Sequence, residues 1–428
     1  MLNITPQLIE EYFDKLFPIC RSITGDGVRQ TFDILKEILP IKIHEVPTGT
    51  KCFDWEIPKE WNINDAFIIT PEGKKIADFK ISNLHILNYS IPINKEVSYD
   101  ELVEHLHTLP AMPDAVPYHT SYYKETWGFC ITHNEFLSLP KTGNYKVFID
   151  SKLENGSMTY ADLVLKGESE KEILFSTYVC HPSMANNELS GPLVQAFLYT
   201  LIANMPHRKF TYRFVFAPET IGIIYYLSQH GSNLKKNLHA GYVLTCCGDA
   251  GNFTYKRSRK INSAADIAAE HILKYSGKEY STIPFAIGGS DERQYCSPGF
   301  NLPVGSIIRT KYQVYKEYHT SFDNKDFISF DALHETILMT FDIVKAFELN
   351  DNYVGTIQHC EAQLGRRGLY ATLGGNKNRS NELTNRLHLL NFADGEHSLI
   401  EISELNNTCI LAYEDEIPLL KANNLLQK

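Results

Sequence analysis

Four places in the chain put polar, proton-bearing side chains where an apolar strand pattern stops. The first is Cys180-His181-Pro182, followed by Asn186-Asn187-Glu188-Leu189-Ser190-Gly191. A histidine leaving a buried strand, with amide and acid groups ahead of a helix start, suits a divalent metal or an anion. The plainer alternative is a satisfied loop histidine and a favourable first-turn acid at Glu188. The second is Ala217-Pro218-Glu219-Thr220, where a carboxylate just past an apolar run is partly desolvated, which raises its pKa toward general-base use. A helix cap from Glu219 or Thr220 competes with that reading. The third is Thr245-Cys246-Cys247-Gly248-Asp249. Adjacent cysteines cannot both aim at one tetrahedral metal, so they read as small buried hydrophobes. The fourth joins Gly288-Gly289-Ser290-Asp291-Glu292-Arg293 to Tyr318-His319-Thr320-Ser321-Phe322-Asp323. A glycine pair lets backbone approach a ligand closely, and His319 with Asp323 reads as a ligand and the carboxylate that orients it.

Each signal is weak alone. Their weight comes from falling at consecutive strand ends, because open α/β sheets bind ligands outside the carboxyl ends of their strands. The strands and helices that would position them are legible from about Met158. Met158–Leu165 and Glu172–Cys180 flank Gly167-Glu168-Ser169 and read as a hairpin or a short antiparallel connection. Helix Ser190–Ala203, strand Phe210–Ala217, helix Ile221–Gln229, strand Gly241–Cys247, helix Ser263–Tyr275, strand Pro303–Ile308 and helix Ala332–Phe347 follow. That alternation predicts a mostly parallel sheet covered on both faces.

Ahead of it, Thr5-Pro6 caps a helix with apolar positions Leu8, Ile9, Tyr12, Phe13, Leu16 and Phe17. Val28 to Leu39 reads as a second helix and Ile41 to Val46 as a strand. Between about Thr50 and Asn155 helical periodicity nearly vanishes while aromatics, prolines and turn signals become dense, with one helix near Tyr99–His107. This reads as a mostly β module inserted in the first domain. Gly365 to Ser380 reads as a linker, and Ser398 capping Leu399–Leu405, then Ile417–Leu426, as a winged-helix-like end. The expected domains are thus 1–49 with 156–349, an insert over 50–155, and 350–428.

Composition narrows the function classes. The 428 residues carry 41 Lys+Arg against 51 Asp+Glu, a formal charge of −10, and 43% are hydrophobic, as in an ordinary globular protein. An acidic chain lacks the basic footprint of nucleic-acid binding. Even the terminal stretch from Asn350 holds seven Lys+Arg and ten Asp+Glu, so it reads as a packing or partner module. No apolar run reaches the ~20 residues of a membrane helix. With no basic leader and nine cysteines, an odd number without a CxxC pair, a reduced, cytoplasmic compartment is expected.

The order of these residues resembles the zinc aminopeptidase and glutaminyl-cyclase group of metallopeptidases. More closely, Asp54-Trp55-Glu56-Ile57-Pro58-Lys59-Glu60-Trp61, Thr120-Ser121-Tyr122-Tyr123, Trp127-Gly128-Phe129-Cys130 and Cys180-His181-Pro182-Ser183 resemble a bacterial aminopeptidase-like family associated with polysaccharide biosynthesis. The resemblance implies an α/β fold with a mixed, mostly parallel sheet, an inserted β domain and a C-terminal winged-helix-like domain. It also implies a site. His181 and His319 stand at the family's histidine ligands, and Glu219 at its general base. Asn187 stands at the bridging aspartate, Thr220 at the second glutamate, Thr245 at a further aspartate, and Ser183 at the acid that orients the first histidine. An amide is a poorer ligand than a carboxylate, so a full two-metal site is not expected.

What remains implies one ion, zinc before other divalent metals, on His181, Glu188 and His319, with Glu219 as base and Asp291 toward a substrate amine or an ordered water. Asn187, Tyr122, Tyr123 and Arg293 are the expected substrate contacts, with Thr120 and Trp127 as further candidates on the insert. The leading expectation is a metal-dependent hydrolase of a small-molecule or peptide-like substrate, with no nucleic-acid or membrane partner and with self-association left open. The alternative is a peptidase fold that has lost its ligands and serves as a non-catalytic binding or scaffold protein in surface-polysaccharide biosynthesis.

Overall fold

The computed structural model describes residues 3–370 and 381–428. Helix α1 (Pro6–Leu16) starts where Thr5 accepts the Leu8 N–H at 3.2 Å, with Pro6 in the first position, where no donor is needed. It buries Ile9, Phe13 and Leu16, and α2 (Asp26–Leu35) buries Val28, Phe32 and Leu35, each on one face. Strand β1 (Lys42–Pro47) follows.

Residues 51–154 hold a separate set of short elements. These are β2 (Lys51–Cys52), β3 (Trp55–Glu56), β4 (Glu60–Ile69), β5 (Lys75–Ile76), β6 (Ile93–Ser98), α3 (Tyr99–Val103), β7 (Leu106–His107), β8 (Phe129–Cys130), α4 (His133–Leu137) and β9 (Asn144–Glu154). Four of them form an antiparallel sheet in the order β5-β4-β9-β6, where Tyr145, Val147 and Ile149 of β9 alternate inward. The helix expected over Tyr99–His107 stops at Val103, and Leu106-His107 pairs with Phe129-Cys130 instead.

The α/β part runs β10 (Ser157–Leu165), β11 (Glu172–Tyr178), α5 (Ser190–Ala203), β12 (Thr211–Ala217), α6 (Ile221–Asn237), β13 (Leu238–Leu244), β14 (Phe253–Lys256), α7 (Ala264–Tyr275), β15 (Tyr280–Ile283), α8 (Glu292–Tyr295), β16 (Val304–Ile308) and α9 (Phe330–Leu349). Eight strands make one mixed sheet in the order β1-β10-β12-β11-β13-β16-β14-β15. The four central strands β12, β11, β13 and β16 are parallel, and antiparallel strands flank them. Every residue of β11 and β12 is buried, as expected of strands covered on both faces.

One expectation is overturned. β10 and β11 are not a hairpin, because β12 lies between them, antiparallel to β10 and parallel to β11. The Gly167-Glu168-Ser169 segment is a strap rather than a hairpin turn. The Glu168 and Ser169 N–H groups donate to the carbonyls of Arg208 and Lys209, just ahead of β12, and a Cβ at Gly167 would lie 2.1 Å from the Phe210 carbonyl oxygen.

By contacts the chain divides into two compact units, 1–265 with 281–337, and 266–280 with 338–428. In the second, β17 (Val354–Gly355) pairs antiparallel with β18 (Leu426–Gln427) around α10 (Asn381–Phe392), α11 (Leu399–Leu405) and α12 (Glu416–Ala422). Ser398 and Glu401 form a capping box on α11, and Arg386 grips Glu416 through two hydrogen bonds of 2.9 Å. The helix expected over Ile417–Leu426 ends at Ala422, ahead of β18. Of the expected linker, Gly365–Arg367 form one 3₁₀ turn and 371–380 lie outside the described residues. Among the described residues no helix is long and apolar enough to cross a membrane.

Arg29 on α2 ties the first segment to the inserted sheet. Its guanidinium reaches Glu60 at 2.6 and 2.8 Å, Glu45 at 3.1 Å, Asp26 at 2.9 Å and the Ser157 hydroxyl at 2.9 Å. Both Glu45 and Glu60 are held below their ordinary values, Glu60 chiefly by this arginine and Glu45 by it together with the Ser157 and Thr159 hydroxyls. Arg29→Met strands two carboxylates beside each other and is predicted to cost about 2 kcal/mol in a urea titration, a partly exposed cluster falling below a fully buried one. A loss within 0.5 kcal/mol would mean the cluster is mere surface decoration.

Candidate active site

The carboxyl ends of the parallel strands meet on one side of the sheet, and backbone strain gathers there. Ser183, Thr220, Cys246 and His319 all have positive φ, at 38°, 67°, 48° and 55°. Such conformations persist only where surroundings enforce them, and they cluster at working sites. Between Ser183 and α5 the chain makes a single π-helical turn, Ala185–Leu189, which is itself common at functional positions. Asp323 caps this turn, accepting the Asn186 and Asn187 N–H groups at 2.6 and 2.9 Å. Asp323 therefore does not orient His319, as its spacing suggested, because its oxygens are spent on the turn that places Asn187. His319 is set by stacking on Tyr318, 3.9 Å between centroids at 12°, and by the Tyr118 N–H donating to its carbonyl at 2.8 Å.

After β11, Cys180 and His181 meet a buried carboxylate. Glu188 accepts the Cys180 N–H at 3.0 Å and the His181 N–H at 3.1 Å and lies 3.1 Å from His181 Nδ1, while Arg21 Nε stands 3.3 Å from its other side. Arg21 is anchored in turn by the carbonyls of His181 and Leu16, at 2.9 and 2.8 Å. Burial alone pushes the Glu188 carboxyl upward. Two backbone N–H groups and a guanidinium can only donate to it, so the ionised form is the one this pocket is built to hold, and that form makes Nδ1 of His181 the donor. Glu188, expected as a metal ligand, spends both oxygens here and does not line the cavity described below. With Nδ1 as donor, His181 carries its free lone pair on Nε2. Burial keeps the ring neutral, with its pKa pushed down to about 3.

The Nε2 side faces a different set of groups. The rings of His181 and His319 lie 5.3 Å apart between centroids, and Glu219 Oε2 is 4.0 Å from His181 Nε2. His319 Nε2 is 2.9 Å from Asn187 Oδ1, and the Asn187 amide donates to the Tyr178 hydroxyl at 2.8 Å. Tyr178 and Thr245 share a 2.6 Å hydrogen bond. Positions 187 and 245, where the resemblance implies carboxylates, are thus joined into a neutral chain. Burial also pushes His319 down to about 3, helped by the neighbouring His181.

Glu219 lies two residues past β12, and burial pushes its carboxyl up to about 7 against the pull of Arg293, with Glu292 and Glu188 adding to the rise. Asp291, fully buried behind it, accepts the Thr220 N–H at 2.8 Å, and its other oxygen has no partner among the described residues. Arg293 donates to the Thr220 hydroxyl at 2.7 Å, and its Nε likewise finds no partner. His181, Glu219, His319 and Arg293 line one cavity of about 460 Å³ with Tyr118, Tyr122, Tyr123 and Trp55. Tyr118 and Tyr122 are joined through their hydroxyls at 2.8 Å. Asn187 and Asp291 stand directly behind this lining, and Trp127, a candidate wall residue, is buried in the insert.

Among the described residues, one set of three metal-type side chains has donor atoms close enough together to share an ion: Cys180, His181 and Glu188. Its chemistry does not suit one. A guanidinium and two backbone N–H groups already point at that carboxylate, and burial keeps the Cys180 thiol protonated. Sequence reasoning missed Arg21, Tyr118, Tyr178 and Trp55. Trp55 lay inside a motif that carried the resemblance, whereas nothing in the sequence around Arg21 ties it to a residue 167 positions away.

Residues 10–350 match the family described as a domain of unknown function, DUF4910, and residues 351–428 match a winged helix-turn-helix family. A Clostridium acetobutylicum protein described as a polysaccharide biosynthesis protein with an aminopeptidase-like domain is 46% identical over 395 residues, 92% of this chain and 90% of its own length. A crystal structure from the same organism, described as a candidate peptidase, superposes with a TM-score of 0.92 at 42% identity over 99% of this chain and 96% of that one. The zinc aminopeptidase BSAP of Bacillus subtilis shares the fold, with a TM-score of 0.59 at 10% identity over 81% of this chain and 96% of that one.

Removing Arg21 leaves Glu188 buried without its counter-charge, so burial drives the carboxyl to take up a proton and the donors around it lose their partner. Arg21→Met is predicted to destabilise by about 3–5 kcal/mol in chemical denaturation. A cost below 1 kcal/mol would show that the backbone donors alone hold the carboxylate.

Proposed function

The chain belongs to the DUF4910 family, and we propose that it is a metal-assisted, aminopeptidase-like hydrolase of a small amine- or amide-bearing substrate. The observation that carries this reading is His181, whose Nδ1 is held by Glu188 so that Nε2 faces Glu219 and His319 inside one cavity. The donors fit an ion in kind, with two imidazoles kept neutral by burial and the Asn187 amide oxygen beside His319 Nε2. His181, His319 and Asn187 would hold it, with Asn187 in the place first expected of Glu188. Zinc is favoured by the imidazoles and by the fold relatives. Once bound, such an ion polarises a carbonyl and makes water more acidic.

The chain's own residues supply the rest. His319 carries its proton on Nε2 while it bonds Asn187, and would hold an ion through Nε2 in the tautomer that carries the proton on Nδ1. Glu219 takes the proton of the attacking water and returns it to the leaving amine, a role suited to a carboxyl pushed up to about 7. Arg293 offers a guanidinium to a substrate carbonyl or carboxylate, and Asp291 holds the Thr220 backbone that places Glu219. The winged-helix unit, net acidic, acts toward protein partners rather than nucleic acid. A reduced, cytoplasmic setting suits the nine free thiols.

A second reading is favoured by the neutral Asn187–Tyr178–Thr245 chain, which lacks the negative charge that normally holds a catalytic ion. In that reading the cavity binds its ligand without turnover, in the polysaccharide setting that the description of the Clostridium relative gives for that protein.

Two variants separate the readings. Glu219→Gln is predicted to lower hydrolysis of aminoacyl amides by about 10²-fold or more with an unchanged melting temperature. Full turnover in that variant removes Glu219 from the mechanism. Asn187→Asp adds the missing charge, and it is predicted to tighten zinc binding at least ~10-fold in a competition titration with a chelating dye. Wild-type protein with neither hydrolysis nor stoichiometric zinc, and an Asn187→Asp variant with no gain, would support the binding protein.

A further inference from the structure

The mouth of the cavity is built differently from its base. Trp55 and Tyr123 both line it, their rings meeting edge to face at 5.9 Å, yet Trp55 is 39% and Tyr123 61% exposed. Large aromatics left open to water at a cavity rim mark a recognition surface more often than a packing defect. Trp55 is delivered by the β2–β3 hairpin, whose turn also exposes Phe53, strained at φ 52° and resting edge-on against Phe300 at 5.8 Å. Polar edges stand around the same rim in Thr120 and His119. The hairpin thus presents flat apolar faces beside hydrogen-bonding groups.

We infer that Trp55 and Tyr123 form a stacking subsite for a saccharide ring, so that the amide or amine processed at the base is carried by a sugar. A pyranose ring has apolar C–H faces and a rim of hydroxyls. It gains from one aromatic face while its hydroxyls stay in water or meet polar neighbours. An apolar amino-acid side chain is recognised by enclosure, which a ring that is 61% exposed does not offer. The volume of about 460 Å³ accommodates one sugar with a short acyl or aminoacyl group. In the hydrolysis, water's hydroxyl goes to the acyl carbon, the C–N bond breaks, and the proton held by Glu219 goes to the nitrogen that leaves with the sugar. The subsite deepens the hydrolase reading and rests on it only for that last step, since binding is measured without turnover.

The test uses the full chain and its own fluorescence. Of three tryptophans, Trp61 and Trp127 are 2% and 6% exposed, so Trp55 dominates any quenching by a ligand at the rim. Titration with N-acetylglucosamine and with its β-1,4-linked dimer should give saturable quenching. By calorimetry, Trp55→Ala and Tyr123→Ala should each weaken the dimer at least ~10-fold, and Trp55→Phe should keep most of the affinity. With N-leucyl-glucosamine as hydrolysis substrate, Tyr123→Ala should raise KM at least ~5-fold and leave kcat within about twofold, and the rise in KM should exceed that for leucine amide, which carries no ring. Sugar binding without hydrolysis overturns the hydrolase reading and keeps the subsite. No saturable quenching by either sugar, wild-type affinity for the dimer in both alanine variants, or a rim response to leucine amide alone overturns the subsite.

Discussion

A carboxylate sunk among donors governs this site. Glu188 has no water to ionise into, so it is held by Arg21, by two backbone N–H groups and by the Nδ1–H of His181. The same contacts fix the backbone where β11 ends, the tautomer of His181 and the direction of its remaining lone pair. An acid that seemed available as a ligand instead orients a histidine through Nδ1. Arg21 lies on the short connection between α1 and α2, which makes the first helical pair part of the site without touching the cavity.

Neutral side chains back one wall of the cavity. Three of the four positions at which the resemblance implies carboxylates hold Asn187, Thr220 and Thr245, and hydrogen bonds through Tyr178 and Arg293 keep these neutral side chains satisfied. Two acids sit on one side, with Glu219 at the wall adding to the rise in proton affinity that burial imposes on Asp291 behind it. An ion here would meet neutral donors first and a titratable acid second. That balance suits weak, exchangeable metal binding rather than a permanent structural ion.

Much of this was legible from residue patterns. The α/β alternation after Met158, helix Ser190–Ala203 to the residue, and the concentration of chemistry at strand ends follow from burial on both faces and from chain reversal at those ends. The Met158–Cys180 hairpin did not hold, because periodicity gives a strand's faces and not its neighbours. Asp323 was read by spacing as the partner of His319, and spacing cannot see that a π-helical turn far upstream needs the same oxygens. Arg21 was invisible for the same reason, since a buried ion pair across 167 residues leaves no local trace. The family resemblance named His181 and His319 correctly as neighbours, which local patterns alone could not do.

If Glu188 turns His181 as proposed, its Nε2 and that of His319 serve one ion. Anomalous diffraction from crystals soaked in zinc, recorded on both sides of the zinc absorption edge, tests it most directly. The account predicts a single peak bonded to both Nε2 atoms, with Glu188 still on Nδ1. A peak among Cys180, Glu188 and Nδ1 of His181, or none at saturating zinc, would contradict it.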